Sequence, residues 1–133
     1  VVRNATNEEI VARDTEQARV AKAAEFRANT AVILEQGLAM NGSEGLSVLP
    51  CHADAYIAIM ETVCWAVRGL WDGPVRIPLR EGYMEVSDAA VLNALFGRAF
   101  NFRRSMRLEE MKLIDKLRLC NTPAEVEAIT DDR

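Results

Sequence analysis

Two hydrophobic periods run along this chain, and the places where one gives way to the other mark its elements. The segment Thr6-Asn7-Glu8-Glu9 has the form of a capping box: a Thr hydroxyl to accept from the third N–H of a helix, and a Glu to reach back. It predicts a helix from about Asn7 to Met40 in sequence rich in Ala, Glu, Arg and Gln. The first half is polar all round, so residues 1–19 are expected to be a polar helix start, or a linker to an upstream or neighbouring chain. Residues 20–133 are expected to form one α+β domain. From Val20 a stripe develops at helical spacing through Val20, Ala24, Ala31, Leu34 and Leu38, and its small residues would let another helix come close.

Asn41-Gly42-Ser43 tolerates left-handed backbone angles and predicts a turn. Gly45 to Leu49 reads as one short strand stopped by Pro50. A core helix is expected from Cys51 to Leu70, with Ala53, Ile57, Met60, Cys64 and Val67 on one face and Tyr56, Ile59 and Val63 beside it. Val75–Leu79 and Tyr83–Val86 both alternate and are joined by Arg80-Glu81-Gly82. They predict a β-hairpin whose Pro78 suits an edge or bulge. Ser87-Asp88 offers an N-cap for a third helix, from about Asp88 to Cys120. On it Leu92, Leu95, Ala99, Phe102 and Met106 make a heptad seam, which then shifts to Met111, Ile114 and Leu117. Thr122-Pro123-Ala124-Glu125 is a strong helix start, predicting a short helix to about Ile129 that folds back through Val126 and Ile129. The expected class is therefore α+β and mostly helical. It has two long helices, a core helix, a small β-hairpin, one short strand and a closing short helix.

A length of 133 residues suits one domain with a sizeable core, without metal or disulfide support. Hydrophobic residues are 50% and charged residues 27%, a globular balance. The net charge of −4 weighs against phosphate backbones as the main partner. Cys51, Cys64 and Cys120 are odd in number and widely spaced, so reduced thiols are expected rather than a disulfide framework. No apolar run reaches the length of a membrane span, so no membrane partner is expected. Residue 1 is Val, which leaves open both a processed start and a start inside a longer chain.

The search for chemistry turns on few residues. His52 adjoins Cys51, but neighbours at a helix start diverge, so a helix-start histidine is the expectation ahead of a thiolate–imidazole pair. Cys51, His52 and Cys64 are three metal-ligand types, yet Cys64 would lie roughly 18 Å along the helix. No metal, no cofactor and no catalytic residue is expected. No phosphate-binding glycine spacing is present. Arg98, Arg103, Arg104 and Arg107 interleave with Phe100 and Phe102. Core Phe residues with Arg103 and Arg107 as a solvated (i, i+4) pair rank first for this cluster, an interface second and nucleic acid third. Trp65 and Trp71 bracket the end of the second helix, and one of them is expected in the core; Trp71 sits where a loop could present it to a partner, but packing under the hairpin ranks ahead of that. The candidate interface residues are Val20, Ala24, Ala31, Trp71, Arg98, Phe102, Arg103 and Arg107.

The order of parts resembles a domain-of-unknown-function family of tailed phages and prophages, encoded near tail-fibre and tail-fibre-assembly genes. The residues that carry the resemblance are Gly45-Leu46-Ser47-Val48-Leu49-Pro50, Asp54-Ala55-Tyr56-Ile57-Ala58-Ile59, the Trp near the helix end, the two alternating segments, Ser87-Asp88-Ala89-Ala90 and Thr122 to Ile129. It spans about Ala18 to Ile129. The resemblance implies a non-enzymatic virion role, as a structural or adaptor component of the tail in the baseplate or fibre region. The implied partners are other tail, fibre or baseplate proteins and further copies of the chain, a trimer being favoured because fibre proteins are commonly trimers. A tail-fibre assembly chaperone is the alternative reading, and a small regulatory nucleic-acid-binding module a further one.

Overall fold

The structure is a computed structural model that describes residues 4–42, 45–70 and 73–133; for 41, 42 and 45–47 it describes the backbone. The elements in order are α1 (Asn7–Gln36), β1 (Leu38–Gly42), β2 (Gly45–Leu49), α2 (Ala53–Val67), β3 (Val75–Pro78), β4 (Tyr83–Val86), α3 (Ala89–Arg118) and α4 (Pro123–Glu127). The fold is α+β and mostly helical. The chain divides into two compact units, Val1–Thr30 with Arg107–Arg133, and Ala31–Met106. Residues 19 and 20, where a boundary was expected, both lie inside α1.

In the Ala31–Met106 unit, α1 stops earlier than its pattern predicts. Gly37 takes φ +73°, a left-handed value that ends a helix at little cost only for glycine. Leu38 and Met40 therefore belong to β1 and not to the helix. Strand β2 is correspondingly not alone: it pairs antiparallel with β1, Leu38 opposite Leu49 and Ala39 opposite Val48. Three partners satisfy the end of α1. The Gly37 N–H donates to the Ile33 carbonyl at 3.0 Å and the Cys51 N–H to Leu34 at 2.8 Å. The Arg80 guanidinium donates to the Glu35 carbonyl at 2.8 Å. The second hairpin forms as expected, Val75 opposite Val86 and Pro78 opposite Tyr83, with Gly82 at φ +87° in its turn. The core joins Leu34, Met40, Leu49, Cys51, Ile59, Val63, Ile77, Val86, Leu92, Leu95 and Ala99, with Phe102 and Met106 packed against it. Each large apolar side chain buried there contributes about 1.5–3 kcal/mol.

In the other unit, the capping box at Thr6 is formed: the Glu9 N–H donates to Thr6 Oγ1 at 3.1 Å and the Thr6 N–H to Glu9 Oε2 at 3.3 Å. Ala23 and Phe26 of α1 pack with Leu113 and Leu117 of α3, with Cys120, and with Val126 of α4. Arg19 caps the end of α3, donating from Nε to the Leu117 carbonyl at 3.1 Å and from Nη2 to that of Cys120. Helix α4 begins as predicted, Thr122 Oγ1 accepting from the Glu125 N–H at 3.2 Å while Glu125 accepts from the Asn121 N–H.

Candidate interaction surface

Three residues of the apolar stripe on α1, Val20, Ala24 and Ala31, turn away from the core, whereas Leu34 is buried in it. Val20 is 62% exposed, and Ala24 and Ala31 are exposed too. Phe26, Thr15 and Thr30 are buried instead. Alanine removes little area from water, so a single Phe decides which side of this helix turns inward. The hydroxyls of Thr15 and Thr30 are satisfied by the carbonyls four residues back, at 2.6 and 3.0 Å, which makes their burial cheap. Val20 lies at an open groove of about 300 Å³ whose floor includes Ala23, Ile114 and Leu117 and whose rim carries Arg19, Arg27 and Arg118.

The arginines of α3 are used separately. Arg103 is half-buried: Nη1 donates to the Cys51 carbonyl at 2.6 Å, and the guanidinium lies 4.9 Å from the Tyr56 ring centroid. Tyr56 in turn stacks on Phe96 with centroids 5.5 Å apart. Arg98 is exposed and approaches Met40 Sδ at 3.4 Å. Arg107, in the other unit, pairs with Glu110 at 3.5 Å. Phe102 is half-buried against the core. Trp71 lies outside the described residues.

Cys51 and His52 point apart. Cys51 is fully buried and its thiol donates to the Leu49 carbonyl at 3.4 Å. Burial pushes that thiol's pKa up; the Leu38 backbone N–H and the Arg103 charge oppose the shift only in part. His52 is exposed at the N-cap of α2 and makes no capping hydrogen bond with its side chain. Among the described residues no three His, Cys, Asp or Glu side chains gather within reach of one metal ion. No helix among them is long and apolar enough to cross a membrane.

Helix α2 reverses the expected order of its faces. Ile59 and Val63 are buried, with Tyr56 and Ala66 packed beside them. The predicted core face points outward: Ile57 is 43%, Met60 36% and Val67 80% exposed, and Ala53 and Cys64 are exposed as well. Trp65, on a third side of the helix, is 64% exposed, so of the two tryptophans this one is not in a core. The apolar arc of α2 is wider than one unit can cover, and the sequence marked the stripe without showing which half would be left over. Asp54, Glu61 and Arg68 run along the edge of this outward stripe, and no other described residue pairs with any of them. Their heptad spacing is the signal in the sequence that marks this edge.

Comparison of the sequence and the structure with protein-family models, characterised proteins and solved structures returns no match.

Proposed function

We propose that this chain is a structural or adaptor component of a tailed-phage tail, in the baseplate or fibre region, and that it acts by packing against other proteins. The observation that carries the packing half is the outward apolar half of α2, where Ile57, Met60 and Val67 are exposed beside charges that have no partner among the described residues. Exposed apolar side chains grouped on one face mark contact surfaces. The tail setting rests on the resemblance of the motifs from Gly45 to Pro50 and from Thr122 to Ile129. Other tail, fibre or baseplate proteins and further copies of the chain are its expected partners. The Leu92–Met106 heptad seam packs into the chain's own core, which leaves other surfaces for the proposed self-association. The Arg98–Arg107 cluster offers little to nucleic acid, because its half-buried member, Arg103, is held by Cys51 and Tyr56.

Mass spectrometry of purified phage particles tests the tail reading. Stoichiometric amounts with tail proteins are expected. Absence from particles, with the chain bound to fibre protein in the lysate, would replace this reading with the assembly chaperone.

A further inference from the structure

We infer that the outward face of α2 pairs with the same face of a second copy of this chain, antiparallel and about a two-fold axis. This rests on reading the chain as a protein-packing element and is independent of the particle it belongs to. Ala53, Ile57, Met60, Cys64 and Val67 follow one another at alternating spacings of four and three, the d-a-d-a-d pattern of a two-helix seam. All five are exposed, so no described residue of the chain fills the seam.

The charges select the orientation and the register. Asp54, Glu61 and Arg68 occupy the three successive e positions beside the seam. In a parallel pair, e residues face g residues of the partner. Here the g positions are Tyr56 and Val63, which are turned into the chain's own core, so the three charges would find no partner. In an antiparallel pair, e faces e. Two registers then match a with d for four of the five seam residues, and shifts beyond them leave only two in contact. One sets Ile57 against Met60 and brings Asp54 beside Glu61, an acid against an acid. The other sets Ile57 against Val67 and Met60 against Cys64, and brings Asp54 beside Arg68 twice over, once on each side of the axis. Only Glu61 then meets its like, in a solvent-exposed position. Two opposite-charge contacts against one screened like-charge contact favour the second register.

The size of the face fixes the strength of the pairing. A helix of 15 residues is about 22 Å long, and one seam of that length falls short of the roughly 800 Å² per partner of a standard interface. The pairing is therefore weak and concentration-dependent, suited to a repeated contact within a larger assembly.

Cysteine cross-linking of the full chain tests it. With Cys64→Ser as background, Ile57→Cys together with Val67→Cys should give an inter-chain disulfide dimer on mild oxidation. Either substitution alone should not, because copies of one position are then staggered along the axis beyond the roughly 7 Å limit for a disulfide. Cys51 and Cys120 are buried and serve as silent controls. In sedimentation equilibrium, Asp54→Arg should weaken the dimer roughly fivefold, and adding Arg68→Asp should restore it. Both charges are exposed, so neither change threatens folding. A strict monomer at millimolar concentration would overturn the inference. So would cross-linking by Ile57→Cys alone, which signals a parallel pair, or a charge swap that fails to rescue. A chain that pairs in this way but is missing from phage particles would leave the pairing standing and remove the tail reading.

Discussion

The Arg133 guanidinium donates to the Thr30 hydroxyl at 2.7 Å, more than a hundred positions away along the chain. It also donates to the Phe26 carbonyl at 3.0 Å and to Asp131 at 2.7 Å, with the two charged side chains almost wholly covered. The C-terminal segment is thereby fastened to α1 inside the Val1–Thr30 and Arg107–Arg133 unit. Arg133→Ala should destabilise that unit by roughly 2–4 kcal/mol, because it removes these bonds and leaves Asp131 covered without its cation. Hydrogen exchange on Phe26 to Thr30 measures it. Unchanged protection there would mean that the fastening adds nothing.

The same pair sets an acid limit. Hydrogen bonds from Arg133, helped by Asn29, lower the pKa of the Asp131 carboxyl from 3.8 to about 2, against the opposing effect of burial. A depressed carboxylate stabilises the fold above its unfolded pKa, and that stability is lost as pH falls through the folded value. Stability should thus decline between about pH 4 and pH 2, by roughly 1–2 kcal/mol after allowance for solvent screening. Asp131→Asn should flatten that part of the urea midpoint against pH curve.

Gly37→Ala is expected to be among the most damaging substitutions in the chain. The φ of +73° is costly for any residue with a Cβ, and the added carbon would overlap the Leu49 carbonyl. That carbonyl belongs to β2, so relief of the clash requires the hairpin to move from the end of α1. A loss of about 3 kcal/mol or more in chemical denaturation is the expected outcome. A loss below about 1 kcal/mol would show that the α1–β1 corner is not fixed by this approach.

Where local chemistry decides an element, the sequence was enough. The boxes at Thr6 and Thr122 and the hairpin around Gly82 all lie where their residues placed them. Of the heptad residues, Leu92, Leu95 and Ala99 are buried and Phe102 and Met106 pack against them, although they serve the chain's own core instead of a partner's. What the sequence hid was set by packing partners. Gly37 sits within a pattern that continues helically through Leu38 and Met40, and only a second strand at Gly45–Leu49 makes β1 the better use of those residues. On α2 the stripe was visible, but its burial depended on which side the hairpins and α3 covered. Arg103 read as a surface charge because nothing local reveals that the Cys51 carbonyl stands within its reach.

Arg103 therefore acts as a structural brace, and its replacement should appear in stability. Arg103→Ala removes a bond to the Cys51 carbonyl and a cation lying over the Tyr56 ring. A loss of about 1–3 kcal/mol from the Ala31–Met106 unit is expected. Arg103→Lys should recover only part of it, since an ammonium lacks the planar fork that serves both contacts. A variant of full stability that instead lost salt-dependent DNA binding would reopen the nucleic-acid reading.

The three thiols should separate cleanly by reactivity. Cys64 is exposed, whereas Cys51 and Cys120 are buried and donate to the carbonyls of Leu49 and Lys116. The thiolate is the reacting form, and burial holds Cys51 in its protonated state. One thiol should titrate quickly with a disulfide reagent in the native protein, and the other two only on unfolding. Cys64→Ser should abolish the fast phase alone. In the proposed pair Cys64 lies opposite Met60 of the second copy, so a bulky adduct there should also shift the molar mass towards the monomer. A small alkyl group should leave it nearly unchanged, which separates obstruction of the seam from loss of the thiol itself.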